Sequence, residues 1–374
     1  MKKAVCISCT HHYRERLVSP EAVLREMGYE CTYITSDFSH NAKQHYKVED
    51  LPHCIQIPTK PYQKNISPQR IISHIRFARD AFAKVAQIRP DIVYVEVPPN
   101  SLCRAAARYK RKYPEAKLVL DVFDMWPETF PNSRAKKLLA PVFKVWAALR
   151  DRNLGAADFV VTECEMFRQK LRLKKETSQT VWLCADAFNA ETSQPQLCED
   201  ALELCYLGAI NNIINIPAIC DLIRELTATK PVVLHIIGKG ERQEEFVAEA
   251  EKAGAKVIFY GAVYDEVKKA EIMNRCHFGL NIMKSSVCIG LTMKSVDYFR
   301  FGLPIINNIP GDTKQLVQEK GIGVQLEADC ARKLLSLTKE DCLAMRQLVN
   351  DVFRTKFEKN VILEQYRSIF KKLK

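Results

Sequence analysis

No apolar stretch in this 374-residue chain reaches the roughly 20 residues that a membrane-spanning helix needs. Glycine (13) and proline (17) are scarce, which excludes collagen-like and low-complexity architectures. No Asp-x-Asp cluster of the metal-binding type occurs. Nor is there a leader pattern at the start. Met1-Lys2-Lys3 runs directly into Ala4–Cys9, which is too short and too polar at its end for a signal peptide and reads as a first strand. What is present is an ordinary globular balance, 47% hydrophobic and 27% charged residues, in a chain long enough for two or three domains.

Cysteine is plentiful, with fourteen residues. Cys6, Cys9, Cys31, Cys184, Cys205 and Cys288 lie in or beside strand-like apolar runs, where a free thiol behaves as a small buried hydrophobe. The expectation is a reduced, cytoplasmic protein. Cys6-Ile7-Ser8-Cys9 has CxxC spacing but no second CxxC or Cys/His partner nearby, so it reads as structural and no metal is assigned.

The net charge of +12 is unevenly spread. Residues 51–150 hold 18 Lys/Arg against 7 Asp/Glu, and residues 351–374 hold 7 against 3. A basic region attracts an anionic partner such as phospholipid, nucleic acid or a phosphorylated substrate. Nucleic acid is set aside because no aromatic platform or nucleic-acid motif accompanies the charge. On a helical wheel of residues 134–152, Leu138, Leu139, Val142, Phe143, Val145, Trp146 and Leu149 share one broad face, with Lys137 and Lys144 opposite. Arg104, Arg108, Lys110, Arg111 and Lys112 form a neighbouring basic run. Residues 104–152 therefore suit an anionic membrane surface, making the protein peripheral on the inner face of a membrane. The competing reading is a crossover helix that buries its apolar face on its own sheet and is broken at Pro141.

Strand-like runs alternate with helical stretches throughout, the pattern of parallel sheets with crossover helices. Residues 186–201 are polar, contain Pro195 and keep no hydrophobic period. The reading is an α/β protein of two doubly wound, Rossmann-like domains facing a cleft. They span 1–185 and 202–338, with 186–201 as linker and the helices of 339–374 packing back on the first domain. Ligands in such sheets sit beyond the carboxyl ends of the strands.

In the second half, glycines stand at one strand end after another: Leu207-Gly208, Ile237-Gly238-Lys239-Gly240 and Tyr260-Gly261. A glycine there lets a ligand approach the backbone. Then follows Ile289-Gly290-Leu291-Thr292-Met293-Lys294-Ser295-Val296-Asp297-Tyr298, and after it Gly302-Leu303-Pro304. A helix opening near Gly290–Met293 presents amides and its positive dipole end, which suits a diphosphate. Lys294 adds a cation, and Asp297, on the same face, has a carboxylate suited to ribose hydroxyls. In the first half, Asp121-Val122-Phe123-Asp124-Met125-Trp126-Pro127-Glu128 ends a strand in acids and aromatics. Asp124 can act as a base or orient a hydroxyl, and Trp126 can stack on a sugar ring. Glu128 can bind hydroxyls or cap a helix, and Asp121 reads as a structural partner. Lesser candidates are Glu96, His40 and Glu163, with Asn100 or Ser101 as a helix cap.

The whole pattern resembles the GT-B glycosyltransferases, specifically the GT4-like sugar-nucleotide transferases. Gly290, Lys294, Tyr298, Gly302 and Pro304 match the family's Glu-Gly-x-Pro-x-Lys-x-x-Glu-Tyr and following Gly-x-Pro segment in order. The Asp-x-x-Asp-x-Trp-Pro-Glu run resembles that of members that build surface polysaccharides. The resemblance implies a retaining, metal-independent transfer of a sugar from a UDP- or GDP-linked donor to the hydroxyl of a lipid-linked or saccharide acceptor, in surface polysaccharide or glycolipid synthesis. It places Gly208, Lys239, Gly261, Gly290, Leu291, Thr292, Lys294 and Asp297 on the donor, Asp124 and Lys294 in catalysis, and His11, His12, Trp126 and Glu128 at the acceptor. Ile289 stands where the family has a glutamate on the donor sugar. Asn211, Asn212 and Asn215 stand where it has phosphate-binding Arg and Lys, leaving phosphate to Lys294, Lys239 or Arg242. These departures leave the donor open and admit two other readings: a non-catalytic scaffold subunit, and a sugar-nucleotide epimerase or hydrolase on the same fold.

Overall fold

The computed structural model describes residues 1–11, 14–49, 51–130, 138–188 and 195–373. They divide into two compact units, Met1–Trp182 with Ile362–Lys374, and Leu183–Val361.

The first unit is built on β1 (Lys2–Ile7), β2 (Tyr29–Ser36), β5 (Cys54–Ile57), β6 (Ile92–Val97), β7 (Lys117–Val122), β8 (Phe159–Thr162) and β9 (Ser178–Thr180). They form a parallel sheet in the order β5-β2-β1-β6-β7-β8-β9. Its helices are α1 (Arg14–Glu26), α2 (Pro68–Ile88), α3 (Ser101–Lys112), α4 (Ala140–Asp151) and α5 (Glu165–Lys170). β6 is buried along its whole length and β1 from Ala4 onward, as a sheet covered on both faces requires. A small hairpin, β3 (Phe38–Ser39) with β4 (Gln44–His45), follows β2 and was not legible from periodicity, because each strand is only two residues long.

The second unit carries β10 (Leu202–Leu207), β11 (Val232–Ile237), β12 (Lys256–Gly261), β13 (Phe278–Asn281), β14 (Ile305–Asn307) and β15 (Gly323–Gln325). They are parallel in the order β12-β11-β10-β13-β14-β15. Its helices are α6 (Ile216–Thr227), α7 (Gln243–Lys252), α8 (Glu266–Arg275), α9 (Met293–Arg300), α10 (Asp312–Lys320), α11 (Cys330–Ser336) and α12 (Lys339–Val352). Both sheets start in the middle and step outward in each direction, the doubly wound arrangement.

Two sequence expectations need correction. The helices of 339–374 do not all return to the first unit. α12 stays with the second, where buried Arg346 donates to the carbonyl oxygens of Met273 (2.5 Å), Cys276 (2.7 Å) and Gly302 (3.3 Å). The chain rejoins the first unit at Ile362, within α13 (Lys359–Lys372), whose Tyr366 hydroxyl lies 3.3 Å from that of Tyr94. The 186–201 segment is not a free linker at its ends: the Asp186 carbonyl accepts from Arg300, and Leu197 is buried in the second core. Residues 189–194 lie outside the described residues. The 134–152 stretch is interrupted next to Pro141, as expected: Leu138 is helical, Leu139 is a turn, and α4 restarts at Ala140 with Pro141 in its first turn, where a missing N–H costs nothing, while residues 131–137 lie outside the described residues.

Candidate active site

In the second unit the sheet ends converge on Lys294. Its side chain runs past Gly208, where an added Cβ would lie 3.8 Å from Lys294 Cε. The ammonium sits 4.5 Å from the Tyr206 ring centroid and 3.5 Å from its hydroxyl. No carboxylate pairs with Lys294 among the described residues, and burial lowers its pKa to about 8. Lys239, exposed and also without a carboxylate, passes Gly261, where a Cβ would meet its Cε at 3.2 Å. The turns need their glycines. Gly238 has φ +151°, and a Cβ there would fall 1.9 Å from the Gly208 carbonyl oxygen.

α9 is held rigidly above these turns. Thr292 is its N-cap, and the Oγ1 accepts from Ser295 N at 3.1 Å. The same hydroxyl donates to Asn281 Oδ1 at 3.0 Å, and Asn281 Nδ2 donates to Asn307 Oδ1 at 2.8 Å. Tyr298, wholly buried, pins the helix from below: its hydroxyl accepts from Leu207 N (2.7 Å) and donates to Cys205 O (3.1 Å). Its ring lies where a Cβ on Gly279 would stand, 2.7 Å away. The Gly290 carbonyl accepts both the amide and the hydroxyl of Thr313, at 2.9 and 2.8 Å. The amides of Met293 and Lys294 have no protein acceptor among the described residues. Gly290 and Leu291 are buried beneath them, and Asp297 is half-buried one turn further along.

The structure brings Gly208, Lys239, Gly261, Thr292 and Lys294 together but takes Arg242 away. That guanidinium is paired with Glu245. The asparagines after β10 also have structural work. Asn211 accepts from Ile213 N, Asn212 donates to Glu241, and Asn215 caps α6. Asn281, Asn307 and Tyr206 were missed from sequence; an asparagine at the end of an apolar strand is the signal that would have found the first two.

In the first unit, the carboxyl ends of β1, β2, β5, β6 and β7 enclose a pocket of about 260 Å³. Cys9, His40, Tyr62, Arg70, Asp124 and Trp126 are among its walls. Asp124 Oδ1 accepts from Thr129 Oγ1 at 2.7 Å, and burial raises its pKa above the ordinary aspartate range. Arg70 lies over the Trp126 ring at 4.9 Å. His40 hydrogen-bonds the Tyr62 hydroxyl at 2.8 Å and is pushed down to about 4, first by burial and then by Arg70. Burial also drives buried His74 well below its usual value. Arg70, Tyr62 and His74 were not singled out from sequence. Ser67 and Pro68 marked the start of α2, but Arg70 was absorbed into the regional charge.

Other candidates have different duties. Asp121 is a buried ion-pair partner: Arg16 donates to both carboxylate oxygens at 2.9 and 3.0 Å, and the Tyr94 hydroxyl adds a bond of 2.7 Å. Both Glu128 oxygens are engaged by Arg150, at 2.6 and 3.1 Å, so Glu128 is a clamp on α4. Asn100 does not cap α3 with its side chain. It donates instead to the Trp126 and Trp146 carbonyls. His11 packs beside Tyr33 and Tyr46, with ring centroids 6.0 and 6.2 Å away. His12 lies outside the described residues. Glu96 is completely buried, and burial pushes its carboxyl well above the ordinary glutamate range. All fourteen cysteines are free thiols, and among the described residues no group of three or more His, Cys, Asp or Glu is placed to hold a metal.

Residues 201–340 match the family model described as Glycosyl transferases group 1. Among solved structures, sucrose-phosphate synthase from Thermosynechococcus elongatus superposes with a TM-score of 0.72 at 13% identity, covering 100% of this chain and 99% of that one. The apo lipopolysaccharide outer core galactosyltransferase WaaB gives 0.69 at 13% identity, with 100% of both chains covered. The chain shares the GT-B fold of these structures. HepE from Anabaena, in complex with UDP-glucose, gives a TM-score of 0.63 at 12% identity over 100% of both chains. No curated protein matches the sequence. The matched span contains the whole glycine-and-lysine cluster around α9.

Proposed function

We propose that this protein is a GT4-like glycosyltransferase that moves a sugar from a UDP- or GDP-linked donor to an acceptor hydroxyl, with retention and without an obligatory metal. The observation that carries the reading is Lys294: an unpaired cation on a capped helix, beside bare amides, over glycine turns that leave the backbone open. Such a site stabilises the charge that develops on a departing diphosphate. Lys239 is placed to add a second cation, and Asp297 to take ribose hydroxyls. HepE, a structural neighbour, is solved with UDP and with UDP-glucose, and trehalose-6-phosphate synthase, another neighbour, is described as transferring with retention. Asp124, in the polar pocket of the first unit, holds the acceptor hydroxyl and takes its proton. A carboxyl whose pKa is raised by burial is better matched to that task than an ordinary one.

Exposed Leu138 just before α4, Val142 and Val145 on α4, and Ile72 and Ile75 on α2 support a peripheral membrane position. Their neighbours Arg79, Arg104, Arg108 and Lys112 line a groove of about 400 Å³ that also contains Ile75. Cationic and apolar side chains on one face favour an anionic bilayer surface and a role in surface polysaccharide or glycolipid synthesis. Calorimetry with UDP, GDP and a panel of their sugars tests the reading. A transferase binds at least one, whereas a scaffold subunit binds none. Incubation with donor alone separates transfer from an epimerase or hydrolase, which would convert the donor with no acceptor present.

A further inference from the structure

Arg70 is a cation without a counterion. No carboxylate lies within ion-pair distance of it among the described residues. One amino group donates to the Asn65 carbonyl at 2.9 Å, and the buried Nε has no acceptor. The acid in the same pocket, Asp124, is bonded to Thr129 and held toward neutrality by burial. The pocket histidines are neutral as well. Lys43, 5.0 Å from the Tyr62 ring centroid and bonded to Asn65, adds a second cation that also lacks a carboxylate partner. Thr10 Oγ1, in the wall, is buried without a hydrogen-bond partner. A wall with a guanidinium that meets no carboxylate, a second cation close by at Lys43, and unused donors is complementary to an oxyanion.

Arg70 also stands on a boundary. With Asn65, Ile66, His74 and Trp126 it lines both the polar pocket and a second pocket of about 370 Å³, whose remaining walls include Ile71, Leu139, Val142, Phe143 and Trp146. One side therefore offers hydroxyl and imidazole groups, the other hydrocarbon. The polar side, below the roughly 300 Å³ at which drug-sized sites begin, has room for little more than one sugar ring.

We infer that Arg70 reads a phosphate on the acceptor, so that the acceptor is a phosphate ester whose sugar enters the polar pocket. The inference rests on the assignment of the first unit to the acceptor. Two sources share this chemistry: a lipid-linked phosphate, with its chain in the apolar pocket, and a water-soluble sugar phosphate, with that pocket unused. The guanidinium acts by binding, stacked on Trp126, and takes no part in proton transfer.

The test is direct binding to the full chain, without donor, using geranyl phosphate, geraniol and glucose 6-phosphate on wild type, Arg70→Gln and Arg70→Lys. Losing a charge-assisted pair of hydrogen bonds corresponds to about tenfold or more in affinity. Wild type is expected to bind geranyl phosphate at least about tenfold more tightly than geraniol, and Arg70→Gln to erase that difference. Arg70→Lys, which keeps the charge but not the fork, should retain part of it. If glucose 6-phosphate instead shows the Arg70-dependent binding, the inference stands with the soluble source. It is overturned if neither phosphate binds wild type, or if Arg70→Gln, shown to be folded by its melting curve, binds both as wild type does. UDP binding measured on the same samples reports separately on the donor reading.

Discussion

The carboxyl ends of the two sheets are furnished in opposite ways. In the second, the backbone does most of the work: glycines at Gly208, Gly238 and Gly261, amides at the head of α9, and two lysines. In the first, bulky side chains fill the corresponding loops: His40, Tyr62, Arg70, Asp124 and Trp126. A diphosphate is common to all donors, so backbone groups can bind it whatever the sugar. An acceptor differs from enzyme to enzyme and must be read by side chains. On the proposed function, general chemistry would sit in the second unit and selectivity in the first.

Three substitutions sharpen this contrast. The largest expected effect is on stability. Asp121→Ala leaves Arg16 and the Tyr94 hydroxyl buried without their partner and is expected to cost about 3–5 kcal/mol, measured by urea denaturation. Asp124→Asn, three residues away, is expected to leave stability near wild type and to lower turnover by about 10²–10⁴-fold with UDP affinity unchanged. Steady-state kinetics beside calorimetry would show both, and unaltered kinetics would remove Asp124 from the mechanism. Together they separate the two acids at the end of β7 into a buried support and a working group. The smallest effect is Thr292→Val, which removes the α9 cap and leaves Asn281 Oδ1 without its donor. It should cost about 1 kcal/mol and weaken UDP binding only modestly, because the amides remain near their places.

Much of the second unit was readable beforehand because its site is written in glycines and in one ordered segment from Gly290 to Pro304, residue types with few other reasons to recur at strand ends. The doubly wound order followed from alternating apolar strands and helices. What escaped was tertiary. The Asn281–Asn307–Thr292 network joins three separate elements, and nothing local announces it. Arg70 is one of 18 basic residues between 51 and 150, and only its placement against Trp126 and a polar pocket distinguishes it. Glu128 illustrates the converse. It lies in an acid-rich motif, yet buried Arg150, arriving from α4, commits both its oxygens. The boundary near 339 was misplaced for a similar reason: amphipathic periodicity says that α12 packs, not upon which sheet.

The central claim is that Lys294 supplies the positive charge that holds the donor diphosphate. Because burial lowers its pKa to about 8, the lysine is mostly protonated below that pH and neutral above it. An anion beside it stabilises the charged form, so binding near pH 8 must draw a proton from solution, and affinity must fall as pH rises through that region. Titration calorimetry of UDP from pH 6.5 to 9.5, in two buffers of different ionisation enthalpy, reads both quantities. The account predicts proton uptake and a decline in affinity above pH 8 for wild type, with Lys294→Met binding more weakly and showing neither. Equal affinity and the same pH profile in the two proteins would contradict it.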